Sequence, residues 1–388
     1  MPDGREPSTM RLVERIAKIE AEAWDAVAGA DNPSVSHAFL AALEESGSAG
    51  GKTGWLPRHL VMEDEAGRLV AAAPMYLKSH SYGEYVFDHG WAEAYERAGG
   101  RYYPKLQVAV PFTPVTGPRL LVHPSAPSGT REALIAGMIE VARRLGVSSL
   151  HITFPTEDEW LALGSAGLLQ REGEQFHWRN RGYGSFDDFL AALSSRKRKN
   201  IRKERAAALA GGIEVLTLTG KEIEERHWDA FFRFYRNTGD RKWGHPYLTR
   251  DFFARLGATM AQKVVLIMAE RRGRLLAGAL NLCGRTTLYG RNWGSEGDFP
   301  FLHFECCYYR AIDYAIARGL ESVEAGAQGP HKIQRGYLPQ PTFSAHWLRD
   351  AGFAKAVGDY LARERRAVRL EREELALFSP FRKEPDRA

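Results

Sequence analysis

The residue types that acid–base chemistry needs occur together in a turn-rich segment, residues 324–339. His331, Lys332 and Arg335 supply one base that can change its charge and two cations within five positions. The segment follows a predicted strand, where α/β sheets place their ligands, and its glycines let the backbone approach a ligand closely. These features favour a site over a basic surface turn. The residues expected to take part are His331 in catalysis and Gln328, Gly329, Lys332 and Arg335 in binding.

A second segment, residues 287–307, combines a predicted strand that ends near Trp293, a glycine-containing loop and a helix that begins near Leu302. Glu305 lies in the first turn, at the edge of the predicted buried face, where apolar neighbours would raise its pKa and let it accept a proton. The alternative is that Glu305 only complements the positive helix N-terminus. His303 is a second candidate base or a capping group. The strand residues expected to bind substrate or donor are Arg291, Asn292 and Trp293.

A third segment, residues 194–205, carries seven basic side chains and a single acid, Glu204. Ser194 or Ser195 can cap a helix that continues through Ala210 and has a thin apolar face. The helix is therefore either a solvated, charge-rich surface or a surface that faces the phosphates of a coenzyme or of tRNA. Sequence-specific DNA binding is not favoured, because no helix-turn-helix, zinc-finger or aromatic RNA-binding motif accompanies the helix. The expected phosphate-binding residues are Arg196, Lys197, Arg198 and Arg202.

Composition limits the class of protein. With 388 residues, 44% of them apolar and 26% charged, the chain is long enough for two globular domains, and its net charge of +5 is only mildly basic. Cys283, Cys306 and Cys307 form no Cys-x-x-Cys pair, so neither a disulfide framework nor a metal site is expected. The polar N-terminus contains no apolar signal segment, and no run approaches the roughly 18 apolar residues of a membrane helix. We expect a cytoplasmic protein without a transmembrane segment.

Two stretches of the chain share one pattern. Residues 59–76 and 265–282 each predict a β-hairpin with a Gly-Arg turn, and five residues agree at equal spacing. Each hairpin is followed by a predicted helix, residues 131–145 or 304–318, that ends at a glycine and leads into a strand. The predicted fold class is therefore α/β with mixed sheets, built by internal duplication. The predicted boundaries are 34–180 for the N-terminal domain, 186–350 for the C-terminal domain that is expected to be catalytic, and 351–380 for a terminal helix and tail packed on the core.

Several strings resemble the FemAB-like branch of the GNAT acyltransferase superfamily: Arg-Lys-Asn-Ile-Arg-Lys-Glu-Arg at 198–205, Leu-Tyr-Gly at 288–290 and Gly-Ala-Gln-Gly-Pro-His-Lys at 326–332. Leu-His-Phe-Glu at 302–305 is similar to bacterial members related to peptidoglycan biosynthesis. The resemblance covers residues 34–380. It implies two GNAT-like domains in tandem, no permanently bound cofactor, and acyl or aminoacyl transfer from acyl-CoA or aminoacyl-tRNA. The implied acceptor is an amine of a small molecule, a peptide or a peptidoglycan precursor.

The sequence departs from both donor classes, since it has neither the GNAT pyrophosphate motif before Leu302 nor the coiled-coil arm of some Fem enzymes. Acyl transfer to an amine requires a free amine, a stabilised oxyanion and a protonated leaving group. We expect Glu305 or His303 to deprotonate the amine, and backbone N–H groups of residues 288–293 to hold the oxyanion. Tyr337 would protonate the leaving group, and the cations Lys332 and Arg335 would clamp a donor phosphate or the acceptor carboxylate. The alternatives are a non-catalytic nucleic-acid-binding protein that uses helix 196–205, and a degenerate GNAT scaffold that only binds ligand.

Overall fold

The chain divides into two compact units, each built from two separate stretches of the sequence. The computed structural model describes residues 9–242, 246–326 and 329–382. The first unit holds the residues up to Gly173 with Pro341–Arg369, and the second holds Glu174–Gln340 with the residues from Leu370 onward. The contiguous boundaries predicted from the sequence, 34–180 and 186–350, differ from this division because they contain no exchange.

The elements are numbered in chain order. The strands are β1 (Thr9–Val13), β2 (Trp55–Pro57), β3 (His59–Glu63), β4 (Leu69–Ala73), β5 (Met75–Lys78), β6 (Lys105–Val108), β7 (Leu121–Val122), β8 (Ser149–Thr153), β9 (Leu169–Arg179), β10 (Glu214–Thr219), β11 (Val264–Arg271), β12 (Arg274–Cys283), β13 (Thr287–Ser295), β14 (Ser322–Glu324) and β15 (Leu338–Leu348). The α-helices are α1 (Ala21–Ala28), α2 (His37–Glu45), α3 (His89–Arg97), α4 (Thr130–Leu145), α5 (Glu157–Ser165), α6 (Phe186–Ala192), α7 (Ser195–Ala208), α8 (Glu225–Lys242), α9 (Arg250–Thr259), α10 (Leu302–Phe304), α11 (Arg310–Ala317) and α12 (Ala351–Ala376). Within the described residues, every helix is too short or too polar to span a lipid bilayer.

The first unit contains two sheets. Strands β1, β3, β4 and β7 form an antiparallel sheet. The second sheet has the order β2-β5-β6-β8-β15, in which β6 and β8 are parallel and the other neighbours are antiparallel. Helix α4 lies between β6 and β8 in the chain, as the connection of two parallel strands requires.

The second unit has the order β10-β11-β12-β13-β14-β9, in which β12-β13-β14-β9 repeats the antiparallel, parallel and antiparallel pairings of β5-β6-β8-β15. Here β13 and β14 are the parallel pair, and α10 and α11 lie between them in the chain. The last strand of each sheet is exchanged: β9 follows β8 in the chain but pairs with β14, whereas β15 follows β14 but pairs with β8. The repeated order supports the predicted duplication and explains why each unit is discontinuous in sequence.

Each unit has its own hydrophobic core between a helix and the parallel pair. In the first unit, Leu150 of β8 and Leu134 of α4 belong to one buried cluster. In the second, Val323 of β14 and Ile312 of α11 do the same. Burying an aliphatic side chain of this size contributes about 1.5–3 kcal/mol, so these clusters fix the helix on each pair.

The local predictions from the sequence are largely confirmed. The two predicted hairpins are β3–β4 and β11–β12. The predicted helix ends are also present, because Gly146 after α4 and Gly319 after α11 adopt left-handed φ values of 69° and 65°. The predicted basic helix is α7.

Strand β13 packs so closely against helix α8 that Gly294 of the strand has no room for a side chain. A Cβ atom at Gly294 would lie 2.2 Å from the carbonyl carbon of Phe234 and 2.6 Å from the backbone nitrogen of Tyr235. Since helix backbone cannot yield like a flexible side chain, we expect Gly294→Ala to lower the free energy of unfolding by about 2 kcal/mol or more. Gly297→Ala is the matched control, with its nearest atom 3.9 Å away, and should change stability by less than about 0.5 kcal/mol. Denaturant unfolding measures both, and equal effects would contradict this packing.

Candidate active site

The sheet of the second unit opens where β13 and β14 part. The two strands pair over Thr287–Tyr289 and Ser322–Glu324, after which β14 ends and β13 continues to Ser295 in pairing with β12. Along β12 the register shifts between Leu280 and Asn281, which face Asn292 and Gly290, so Arg291 is the extra residue of a β-bulge. Bulges often lie beside active sites because they redirect the backbone. The region predicted to hold an oxyanion, residues 288–293, therefore lies at this opening.

The helix after β13 contains a π-turn. Residues Leu302–Phe304 are α-helical, Glu305–Tyr309 form the π-turn, and α11 follows. One extra residue per turn shifts every later side chain around the helix axis relative to an α-helical prediction, and π-turns are frequent at functional sites. The turn places Tyr308 towards the loop that follows β14, where its hydroxyl meets His331.

An aromatic cluster gathers side chains from three sequence segments. His303 packs edge-on against Trp293, with ring centroids 5.2 Å apart, and against Tyr308 at 5.3 Å. Phe304 stacks on Tyr308 at 5.9 Å and lies 5.8 Å from the ring of His331. The structure thus brings together three of the predicted residues, Trp293, His303 and His331, and adds two aromatic rings that the sequence did not single out.

Tyr308 and His331 form the central polar contact of this cluster. The hydroxyl of Tyr308 lies 3.0 Å from Nε2 of His331, whose side chain is exposed. Burial raises the pKa of Tyr308 above its ordinary value of 10.0, so its hydroxyl keeps its proton at neutral pH. Gly329 lies over the other edge of the imidazole, where a Cβ atom would be 2.8 Å from Nδ1. The imidazole of His331 is therefore open to solvent, whereas Tyr308, 3% exposed, reaches it from the protein interior, and a proton can pass between the two.

Glu305 is buried, and both of its oxygens accept hydrogen bonds from arginines. Arg205 donates from Nε to Oε2 at 3.0 Å and from Nη2 to Oε1 at 2.9 Å. Arg310 donates to Oε1 at 2.9 Å. Both oxygens of the carboxylate are therefore engaged by arginine N–H groups, and neither is turned towards a substrate amine. The contacts favour a structural role over the predicted role as a base.

Lys332 and Arg335 are not available as a phosphate clamp, contrary to the sequence prediction. Lys332 is buried, its ammonium donates to the carbonyls of Ala325 at 2.8 Å and Gly326 at 2.9 Å, and burial lowers its pKa to about 8. Arg335 is also buried and donates to both oxygens of Glu204 at 2.9 Å. The sequence revealed two cations but not the internal acceptors that they satisfy.

Tyr337 does not support its predicted role in protonating a leaving group. Its side chain is fully buried, and its hydroxyl donates to the backbone carbonyl of Tyr308 at 3.2 Å. A core hydroxyl in this position holds the helix to the loop after β14. Of the other predicted residues, Arg291 and Asn292 lie half-buried at the bulge, and Gln328 lies outside the described residues.

Helix α7 turns Glu204 and Arg205 inward. Of its other charged residues, Lys197 and Arg198 are half-buried, and Arg196, Lys199, Arg202 and Lys203 are exposed. Glu204 binds Arg335 and accepts the hydroxyl of Tyr309, while Arg205 binds Glu305 and Asp313. Glu204 is the single acid of the basic run. Its presence there was a sign, in the sequence, that one face of the helix is buried.

The first turn of α7 carries cations beside the positive end of the helix dipole, where positive charge is unfavourable. This turn contains no acid, and the Ser194 side chain forms no capping bond. Within the described part of the chain, the side chains of Arg196, Lys197, Arg198 and Lys199 have no ion-pair or hydrogen-bond partner, whereas Arg202 binds Asp187 at 3.0 Å. Cations repel the positive end of a helix dipole, so this arrangement costs stability unless an anion binds.

Replacing the inward-facing Glu204 should cost far more stability than replacing the exposed Arg202 on the same helix. Glu204→Ala leaves the buried Arg335 without its carboxylate, and we expect it to lower the free energy of unfolding by about 3 kcal/mol. Arg202→Ala breaks the pair with Asp187, in which both side chains are more than half exposed, and should change stability by less than about 1 kcal/mol. Denaturant unfolding compares the two variants. Similar losses would show that Glu204 does not hold the loop.

Comparisons with known proteins place this fold. The structure resembles FemX with a TM-score of 0.55 and 13% identity, covering 88% of this chain and 98% of that one. It resembles the C-terminal domain of a putative lysylphosphatidylglycerol synthetase from Agrobacterium fabrum with a TM-score of 0.54 and 12% identity, covering 90% and 96%. For L-PGS from Bacillus licheniformis the TM-score is 0.51 at 10% identity, covering 83% and 95%. At these identities the likeness concerns the fold, and it confirms the predicted α/β class with two GNAT-like units in tandem.

Sequence comparison gives the family. No curated protein matches the chain. The profile of the FemAB-like family, described as peptidoglycan biosynthesis/recognition, matches residues 15–383, nearly the whole chain. The protein therefore belongs to the FemAB-like family.

Proposed function

We propose that the protein transfers an acyl or aminoacyl group from an activated donor to an amine, with its chemistry at His331 and Tyr308. The observation that supports this most is the 3.0 Å contact between the two side chains, one on the helix after β13 and one in the loop after β14. Ligands of α/β sheets lie at such strand ends. Membership of the FemAB-like family supports the transferase class.

The proposed mechanism moves one proton from the amine to the leaving group. An alkyl ammonium has a pKa of about 10.4, so the acceptor must first release one proton to solvent and enter the site as the free amine. In this mechanism the amine attacks the carbonyl carbon and its proton passes to His331. Tyr308 gives its proton to the leaving group as the carbon–donor bond breaks and regains one from His331. Both side chains end the cycle in their starting protonation states.

The oxyanion of the tetrahedral intermediate would be held by backbone N–H groups of β13 beside the bulge at Arg291. Each such donor contributes roughly 2.7–4 kcal/mol in known enzymes. Gly290 supports a close approach of backbone at this point, since a Cβ atom there would lie 3.0 Å from the carbonyl oxygen of Glu324. The glycine keeps the opening narrow without a side chain in it.

The acceptor that we propose is an amine of a peptidoglycan precursor, since the family description names peptidoglycan biosynthesis or recognition. The donor that we propose carries phosphate, as acyl-CoA or aminoacyl-tRNA, and its phosphates would face Arg196, Lys197 and Arg198 at the start of α7. A phosphate group would be attracted both by the positive end of the helix dipole and by these basic side chains.

Replacing His331 or Tyr308 should reduce activity, and the loss should be larger for His331. Purified protein would be offered acyl-CoAs and charged tRNAs in parallel with a peptidoglycan-precursor amine, and product would be measured by mass spectrometry. We expect His331→Ala to reduce kcat/KM by about 10²–10⁴-fold, because general acid–base catalysis contributes about that factor. Tyr308→Phe keeps the ring and should cost tenfold or more. Tyr314→Phe, on α11, is the matched control and should stay within twofold. A loss below about tenfold in both His331→Ala and Tyr308→Phe would overturn the assignment.

The cations of α7 predict a salt-dependent effect on donor binding. Replacing Arg196, Lys197 and Arg198 with Gln should weaken binding of charged tRNA or acetyl-CoA and flatten its dependence on salt, by about 0.7–0.9 in logarithmic slope for each phosphate that the variant no longer neutralises. The same triple variant should not lower the free energy of unfolding, since it relieves repulsion at the helix start. A control triple, Arg97, Arg363 and Arg366 to Gln, changes charge equally on another surface. An equal effect of both triples would exclude a specific donor contact.

A further inference from the structure

One face of the second sheet of the first unit is both polar and buried. Alternate residues of β5 and β6 point to it, and Lys78 faces Lys105 while Tyr76 faces Gln107 across the two strands. The opposite face carries Leu106, Val108 and other members of the hydrophobic core. An antiparallel sheet with this alternation usually leaves its polar face in water. Here all four polar side chains are fully buried, so the face has a use other than solvation.

In the half of this face that lies towards β15, each side chain has at least one structural partner. Lys105 donates to Ser81 and Glu84 at 2.8 Å, and Nδ1 of His151 lies 2.7 Å from Nδ1 of His346. Nε2 of His151 lies 2.8 Å from the hydroxyl of Ser149. Two oxygens of this network have no hydrogen-bond partner among the described residues, Oε1 of Glu84 and Oδ1 of Asp88, but the other oxygen of each carboxylate binds Lys105.

The half towards β2 does not satisfy its hydrogen bonds. Among the described residues, Nε1 of Trp55, Nδ1 of His59, Oη of Tyr76 and Oε1 of Gln107 have no hydrogen-bond partner, and all four side chains are 0% exposed. They are neighbours: the ring of Tyr76 lies 5.5 Å from Trp55 and 5.2 Å from His59, and Gln107 is its partner across the strands. Buried polar groups are almost always paired, so four adjacent exceptions indicate a bound partner.

The hydrogen-bonding roles of these groups define the partner. Trp55 and Tyr76 can donate. Nζ of Lys78 lies 3.7 Å from the centre of the Trp55 ring, donates to the carbonyl of Tyr82 at 3.2 Å and lies 3.7 Å from Oε1 of Glu84, so its remaining hydrogens add a third donor. Gln107 has committed its amide nitrogen to Thr153 at 2.9 Å, so its oxygen accepts. In neutral His59, Nε2 donates to the carboxylate of Glu44 at 2.7 Å, which leaves Nδ1 as an acceptor. Three donors stand beside two acceptors.

We infer that the first unit binds a small ligand with a carboxylate next to an amine, as in a free amino acid or the end of a short peptide. The carboxylate would lie at Trp55, Tyr76 and Lys78, and the amine hydrogens at Gln107 and His59. The rings of Trp55 and Tyr76 supply apolar walls, as in most small-molecule sites. The segment after β5 covers this face: a Cβ atom at Gly83 would lie 3.4 Å from Nε1 of Trp55. Entry therefore requires this segment to move, and association should be slower than diffusion.

Binding to the full-length protein tests the inference without any donor or transfer reaction, so its outcome is independent of the proposed function. The twenty amino acids, glycylglycine and dialanine would be screened by thermal shift, and the best probe measured by calorimetry beside its carboxamide. We expect at least one probe to raise Tm and the carboxamide to bind tenfold or more weakly, since it lacks the charged carboxylate. Preference for a dipeptide would identify a peptide end, and preference for a single residue a free amino acid.

Conservative variants separate a ligand site from a structural one. Tyr76→Phe removes an unpartnered hydroxyl at almost the same volume, so it should lower affinity tenfold or more without lowering the Tm of the free protein. Trp55→Phe removes an unpartnered N–H and should lower affinity as much, but it also leaves a cavity in the core and should lower Tm. Ser344→Ala is the matched control, because that hydroxyl lies 3.0 Å from Nε2 of His346 in the half towards β15. It should lower Tm and leave affinity within twofold. The inference is overturned if no probe binds at about 20 mM, or if the best probe binds both aromatic variants as tightly as the parent protein.

Discussion

The candidate site of the second unit depends on two adjacent residues of opposite charge, Glu204 and Arg205, that face inward from α7. Glu204 binds Arg335 in the loop after β14, and Arg205 binds Glu305 in the helix after β13. Arg335 in turn donates to the carbonyl of His331 at 2.8 Å. A buried charge without its partner costs several kcal/mol, so these pairs hold the two segments in one arrangement. The contact between His331 and Tyr308 is a consequence of that arrangement.

This constraint separates two kinds of cation in a basic protein. Arg205, Lys332 and Arg335 have internal acceptors and act on the fold, whereas the cations at the start of α7 have none among the described residues and lie where the helix dipole disfavours them. The sequence shows both kinds as the same positive charge. Only burial and partners distinguish them, and the carboxylates that bind Arg205 and Arg335 lie 100 and 131 residues away along the chain.

Features set by interactions between residues close in the sequence could be predicted, whereas features set by distant residues could not. The hairpins, α4 and the helix ends at Gly146 and Gly319 are set by local periodicity and by single residues with special backbone freedom, and all were predicted. The exchange of β9 and β15 was not, because strand periodicity does not identify the pairing partner. The π-turn at Glu305–Tyr309 also left no local pattern, so Tyr308 was overlooked and Tyr337 was given a role that its burial does not allow.

Buried polarity is handled in two ways in this protein, and the difference bears on function. Glu305 and Arg335 of the second unit are matched by partners on every side, which is what stability alone requires. Tyr76 and Trp55 of the first unit keep unpartnered polar atoms in the interior. Each such atom costs about 1–3 kcal/mol, and phenylalanine in place of Tyr76 would avoid that cost at almost the same volume. Stability therefore cannot account for the hydroxyl of Tyr76, and a partner that the fold does not itself supply can.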